Sequence, residues 1–278
     1  MYQNPTYLRA KSGGMIVLLT IVFLMWVAVC SAELLHQESF ENTSVPFKFS
    51  TNIDTANSNA FEYNGAWFCC DENDDYFLIF NNSTQDAIPD TINWDVDNKQ
   101  RTRFYSNQDG TNLIMAEDDT DGVPDEGAIL TLDPVDITGK DNLQVNILVG
   151  AEPGWDRDGA GDYRALDPDD YIIIAAVIDG GTSVTIGMFS CDKEWTTEPD
   201  IDDVNGQLAL DADMDGLGEG TKLNLTLQDF TFDVSGTGSS LVVKVQTHGD
   251  NATYGEEIAY DNIRVSAGGL AVTEWYLY

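Results

Sequence analysis

Two stretches of this 278-residue chain place carboxylates at spacings that could hold a divalent cation. One joins the two ends of the chain. Near the C-terminus, Glu256-Glu257-Ile258-Ala259-Tyr260-Asp261-Asn262-Ile263-Arg264-Val265 reads with period two as a strand. Ala259, Asp261, Ile263 and Val265 share one face in that reading, and the set is apolar except for Asp261. A carboxylate at a core position needs a cation or dense hydrogen bonding, because burying it unpaired is costly. Near the other end, Glu38-Ser39-Phe40-Glu41 offers the complementary half. Calcium takes about six to eight hard oxygen ligands, which clustered carboxylates and carbonyls supply. The seam therefore joins Glu38 or Glu41 to Asp261, completed by Asp119 or Asp121 from the acidic loop Glu117–Gly122. Glu38 shares a face with Phe40 and Glu41 points the other way, so the two glutamates compete for the role. The alternative is a structural Asp261, hydrogen-bonded to backbone in a turn or bulge.

The second stretch is Asp211-Ala212-Asp213-Met214-Asp215-Gly216. It imitates the start of an EF-hand loop, with oxygens at positions 1, 3 and 5 and a turn glycine at 6. Position 12 is Lys222 where that loop has Glu, and no flanking helix is readable. A loop-type calcium site using Glu219 competes here with a solvated acidic turn. A third chemistry is stacking on sugar rings by Trp155 and Tyr163, which lie in a Gly- and Asp-rich loop over residues 150–170; anchoring the loop to a sheet edge is the other use of such side chains. Sequons at Asn42, Asn81, Asn82, Asn224 and Asn251 are candidate N-glycosylation sites in a eukaryotic host. Only two histidines occur, and no Gly-x-Ser-x-Gly elbow, His-Glu-x-x-His pair or phosphate-cradling loop is present. No catalytic constellation is assigned. A glycoside hydrolase using paired carboxylates ranks below a binding or structural role.

The elements that position these residues read as strands. Residues Met1–Gly14 are polar, Met15–Cys30 is an uncharged apolar run, and Cys30-Ser31-Ala32 places small residues before a cut after Ala32. That is the pattern of a signal peptide, with a signal anchor as runner-up. Residues 33–270 then form one domain, and residues 271–278 an aromatic tail or additional strand. The formal charge is −35, and losing Arg9 and Lys11 with the leader makes it more negative by two. Such a chain repels nucleic acid and anionic membrane and suits an exported protein in a salty or calcium-rich medium. Three cysteines, Cys69, Cys70 and Cys191, remain after the leader; a bridge from Cys191 to either of the others would leave one thiol over.

After the leader, Glu38–Glu41 reads as a first strand and Val45–Phe49 as a second, edge-like one because of Pro46. Ala66–Cys70, Tyr76–Phe80, Leu113–Ala116, Ala128–Leu132 and the alternating Asn142–Val149 follow. Tyr171–Val177 and Val184–Met188 flank Asp179-Gly180-Gly181, a hairpin signal. Leu223-Leu225-Leu227, Phe230-Phe232-Val234 and Leu241-Val243-Val245 alternate before the final strand. No window shows helical periodicity, so the expectation is an antiparallel β-sandwich.

The ordered segments Leu113–Asp118, Leu130–Gly139, Gly154-Trp155, Asp170-Tyr171, Ile178–Gly181, Gly220–Leu223, Gln228–Phe232 and Gly236–Leu241, ending in Glu256–Val265, resemble a family of secreted bacterial jelly-roll modules. More distantly, Phe40-Glu41 with Ile258–Ile263 is similar to the opening and closing segments of MAM domains, and to calcium-containing carbohydrate-binding modules. The chain lacks the cysteine pattern of MAM domains and has Asn262 at their second Asp. The resemblance implies a jelly roll with structural Ca²⁺ between its terminal strands. The function expected is an exported, calcium-stabilised structural, adhesion or filament-forming module at the cell surface or in the extracellular matrix. The alternative is a glycan-binding protein. Partners expected are further copies, other surface proteins or glycans, with no nucleic acid and no stable membrane insertion after cleavage. The tail, with Trp275 and Leu277 on one face and Tyr276 and Tyr278 on the other, could add a strand to its own sheet or to a neighbour's edge.

Overall fold

The computed structural model describes residues 32–41, 48–52, 61–63, 66–70, 76–81, 105–117, 127–152, 155–156, 163–164, 169–193, 206–249 and 257–268. Among them the regular structure is β alone. The strands are β1 (Glu33–Glu38), β2 (Phe49–Thr51), β3 (Phe61–Tyr63), β4 (Ala66–Cys70), β5 (Tyr76–Asn81), β6 (Asn112–Glu117), β7 (Ala128–Leu132), β8 (Val135–Asp136) and β9 (Leu143–Ala151). They continue with β10 (Trp155–Asp156), β11 (Tyr163–Arg164), β12 (Tyr171–Ile178), β13 (Val184–Cys191), β14 (Leu208–Leu210), β15 (Gln228–Val234), β16 (Ser240–His248) and β17 (Ile258–Ala267). No helix among the described residues is long and apolar enough to cross a membrane. The leader over residues 1–31 and the tail from residue 269 onward lie outside the described residues, as do Asn42, Asn82, Asp119, Asp121 and Asn251.

The strands form an eight-stranded sheet in the order β15-β9-β17-β6-β5-β4-β3, with β1 added beside β17. A seven-stranded sheet has the order β14-β13-β12-β16-β7-β2, with β8 beside β16; β10 and β11 pair apart from both. Neighbours run antiparallel in both sheets. Alternation explains the layering. Leu143, Val145, Ile147 and Val149 of β9 are buried on one side, and Leu241, Val243 and Val245 of β16 with Ile172 and Ile174 of β12 are buried in the other sheet. Where two sheets bury one face each, apolar residues recur at every second position. Phe189 of β13 meets Phe230 and Phe232 of β15 edge-on, with ring centroids 4.7 and 6.2 Å apart. Gly187 admits this packing, since a Cβ there would stand 2.4 Å from the Phe232 ring.

Four details differ from the sequence reading. The first strand is Glu33–Glu38, and Phe40, at φ +57°, turns the chain away where Glu38–Glu41 was expected to stay extended. The second is Phe49–Thr51, not Val45–Phe49; residues 42–47 lie outside the described residues. The alternating leucines 223–227 form no strand: Leu223 and Leu227 are buried, and the segment is tied down by the bridges Ala209↔Lys222 and Ser106↔Thr226. Cys191 is a buried thiol in the seven-stranded sheet, so its weighed bridge to Cys69 or Cys70 is not formed.

Candidate metal centre

The last strand carries the decisive irregularity. Upstream of it, Ile258 and Tyr260 stand opposite Ala151 and Val149 on the core side of β9. Downstream, Val265 stands opposite Val145, also on the core side. One extra residue sits between Asp261, opposite Leu148, and Arg264, opposite Asn146. Asn262 takes it up at φ +49°, a left-handed conformation that Asn adopts more readily than most residues. The bulge switches the core-facing set from even to odd positions. Ala259 and Asp261 therefore do not share a face with Ile263 and Val265; they point out of the sandwich.

Asp261 is nevertheless completely buried. Chain segments lying over the outer face of the eight-stranded sheet cover it. Residues 105–111 cross there: Tyr105 donates its hydroxyl to the Glu257 carbonyl at 3.1 Å. Asn107 Nδ2 donates to the Leu227 carbonyl at 2.7 Å, and the Ser106 N–H to the Leu225 carbonyl at 2.9 Å. Gly150 of β9 lies under this cover, its would-be Cβ 2.7 Å from the Asn224 carbonyl.

The same point is a junction in the ladder. β17 pairs with β6 from Ile258 to Tyr260 and with β1 from Ile263 onward. The end of β1 and the start of β6 therefore meet beside the bulge, and side chains close the gap. Glu41 Oε1 accepts the N–H groups of Thr111 at 2.6 Å and Asn112 at 2.5 Å, and Oε2 accepts the Thr111 hydroxyl at 3.1 Å. Asn112 Nδ2 donates to the Phe40 carbonyl at 3.0 Å. Asp261 Oδ2 accepts the Asp109 N–H at 2.6 Å, and Oδ1 the Asn262 N–H at 2.5 Å. Gln37 Nε2 bridges Asp109 Oδ2 and Asn262 Oδ1, each at 2.9 Å. Gly110, at φ +94°, leaves room for the Glu41 carboxylate, which a Cβ would meet at 2.4 Å.

Burial pushes the Asp261 carboxyl up to about 8, and the nearby charges of Asp109 and Glu41 add to the rise against the pull of the two backbone N–H groups. Of the competing glutamates, Glu41 is thus the one that acts on Asp261. Glu38 is buried but turned elsewhere, accepting the N–H groups of Phe40 at 2.9 Å and Lys48 at 3.2 Å. Asp109 was missed by the sequence reading. Its signal was the Gln108-Asp109-Gly110 turn just before the apolar run of β6, inside a stretch without periodicity. Glu41, Asp109 and Asp261 bring three hard carboxylates from separate segments into one electrostatic neighbourhood, but among the described residues the carboxylates that converge to within 4.8 Å of one another are those of Asp211, Asp213 and Asp215.

The other acidic loop leaves β14. Asp211 is buried, and its oxygens accept the N–H groups of Asp215 at 3.2 Å and Gly216 at 2.8 Å and the Ser190 hydroxyl at 3.1 Å. Glu219 Oε1 accepts the Ala212 N–H at 3.0 Å, and Asp215 Oδ1 the Leu217 N–H at 3.0 Å. Carboxylate oxygens of Asp211, Asp213 and Asp215 lie within 4.8 Å of one another. The Asp215 charge, ahead of burial and the charges of Glu219 and Asp211, raises the Asp213 carboxyl. Lys222, at the twelfth position, turns away to pair with Asp192.

Trp155 stands opposite Arg164, and Tyr163 opposite Asp156, in the β10–β11 pair, so the two aromatics are not cross-strand partners. Asn224 is exposed, its Oδ1 accepting the Thr226 N–H at 2.7 Å. Asn81 closes β5.

No family model and no curated protein matches the chain. Among solved structures it is similar to the K1 cleaved adhesin domain of Lys-gingipain from Porphyromonas gingivalis W83, at 13% identity over 84% of this chain and 98% of that one, TM-score 0.37. The K3 cleaved adhesin domain of the same protein gives 11% identity over 84% and 100%, TM-score 0.36. An apo-form cyclase from Fischerella sp. gives 11% identity over 87% and 99%, TM-score 0.40.

Proposed function

We propose that this chain is an exported jelly-roll module whose first and last strands are clasped by calcium, and that it serves as an extracellular structural or adhesion unit without a catalytic role. The observation that carries the reading is Asp261: a fully buried carboxylate beside Asp109 and Glu41, with no basic side chain among the described groups that act on it. Placing such a group beside like charges is unfavourable for the metal-free fold and favourable once a divalent cation enters. The strand order supports the jelly-roll reading. β6, β17, β9 and β15 lie side by side in one sheet and β7, β16, β12 and β13 in the other, the alternation of a double Greek key. Export rests on the apolar leader ending near Ala32, and the kinship with MAM domains and carbohydrate-binding modules belongs to the same proposal. The Asp211–Glu219 loop is a second calcium site in this reading. Glycan binding through Trp155 and Tyr163 is the second function to test, by glycan-array screening.

The deciding experiment is thermal melting with excess calcium and with chelator. A site held at 100 times its Kd adds about 2.7 kcal/mol, roughly 5–10 °C for a domain of this size. Asp261→Asn should remove most of that difference, and Asp213→Asn only the share of the second loop. Identical melts in calcium and chelator overturn the clasp.

A further inference from the structure

The outer face of the seven-stranded sheet differs in kind from that of its partner. Register places Ile173 and Val177 of β12 beside Gln246 and Val242 of β16, with Met188 of β13 and Ile129 of β7 completing the rows. All six are half-buried, and the five apolar ones are not packed on the buried core. β12 itself reads Tyr-Ile-Ile-Ile-Ala-Ala-Val-Ile, apolar on both faces. A strand wet on one side alternates, as β9 does with Gln144 and Asn146; a strand apolar on both sides is normally covered on both. No Asp or Glu occurs on β7, β12, β13 or β16, although the chain has 48 of them. Lys244 is the one lysine or arginine on these four strands. The other sheet carries Asp229 and Asp233 on its outward side, exposed on β15.

We propose that the acid-free part of this face, formed by these four strands and lying away from exposed Asp136 on β8, is where a second copy of the chain stacks, sheet upon sheet. At a net charge of −35, contact through most of the surface would press carboxylate against carboxylate. Here aliphatic side chains meet aliphatic side chains, and Lys244 can lay its stem along the apolar surface with its ammonium at the rim. Four strands about 4.8 Å apart and eight residues of about 3.4 Å each give a footprint on the order of 500 Å² per copy. That is below the roughly 800 Å² per partner of a standard interface, so the dimer is weak and forms at micromolar concentrations or above. Apolar burial drives it and net charge opposes it. Association should therefore strengthen with salt and persist in chelator, independent of the calcium clasp.

Sedimentation velocity on the secreted protein tests this, from about 5 to about 200 µM, in chelator, at low and at about 0.5 M salt. The expected result is a concentration-dependent shift toward dimer that grows with salt. Gln246→Glu, which places one carboxylate on each facing surface, should weaken the dimer at least about tenfold. Thr231→Glu adds the same charge to the outer face of the other sheet, opposite Asn146, and should leave association unchanged. Lys244→Glu is the second variant should Gln246→Glu lower the melting temperature. A monomer at the highest concentration and salt overturns the proposal, as does equal weakening by Thr231→Glu and Gln246→Glu.

Discussion

At the scale of single residues the centre turns on Asp261. Its carboxyl is pushed from 3.8 to about 8, so the folded metal-free protein holds a proton there that the unfolded chain releases near pH 4. Tighter proton binding in the folded state means that this group's contribution is fully present below about pH 4 and is lost as pH rises toward 8. Metal-free protein should therefore show, at this site, declining stability between pH 4 and 8, measured by urea melts in chelator. Asp261→Asn should flatten that decline, because the amide cannot titrate. A cation changes the sign of the problem: calcium needs the ionised form, so binding near neutral pH should release close to one proton, readable as a buffer-dependent heat in titration calorimetry. A second residue-level expectation concerns Gly110, whose backbone sits at φ +94° with the Glu41 carboxylate 2.4 Å from a would-be Cβ. Gly110→Ala should destabilise by about 2 kcal/mol and weaken calcium binding together.

At the scale of elements the bulge in β17 governs the geometry. It moves Asp261 from the core side to the covered outer side while keeping Ile263 and Val265 inside. Asn262→Gly should keep the bulge, since glycine adopts the left-handed backbone freely, while losing the Oδ1 that Gln37 holds. Asn262→Val should cost roughly 1–2 kcal/mol through backbone strain, because a β-branched residue is poorly suited to φ +49°. Deleting Asn262 should do more than either. It would restore strict alternation and force Asp261 or Ile263 onto the wrong side, so calcium-dependent stability should vanish even where a folded protein is recovered. Calorimetric melts of the three variants with and without calcium separate these outcomes. The junction of β1, β6 and β17 gives the same lesson, since Glu41 fills with its carboxylate a place where the ladder lacks a partner.

At the scale of the whole molecule, charge sets the conditions under which the sandwich is stable and meets others. With 48 acidic against 13 basic residues, self-repulsion weakens the compact state at low ionic strength. Salt should raise the melting temperature modestly even in chelator, and calcium should raise it further at concentrations too low to screen. Export adds a simple expectation: the secreted protein begins at Glu33, decided by N-terminal sequencing, and recovery of Met1 on the mature molecule would indicate a retained anchor. Removal of residues 271–278 should leave the melt unchanged if the tail is donated elsewhere; a marked loss of stability would make it a strand of its own sheet.

Period-two alternation in β9, β15 and β16 determined the antiparallel, two-layer architecture, because burial of one face per strand leaves a pattern that survives without coordinates. The same logic singled out Asp261 as an anomaly, since a carboxylate among apolar neighbours is visible in the chain itself. What alternation could not carry was a break in its own period. The extra residue at Asn262 costs the ladder one position, and nothing local marks the change of face, so the sequence placed Asp261 in the core when it lies under a cover. Asp109 escaped notice for a related reason: its segment is aperiodic, and its value comes from crossing the outer face of β17, a contact 152 residues away in sequence. Only tertiary structure put Glu41 rather than Glu38 beside Asp261, because β1 ends at Glu38, Phe40 turns the backbone, and the Glu41 carboxylate is held by the N–H groups of Thr111 and Asn112 at the start of β6.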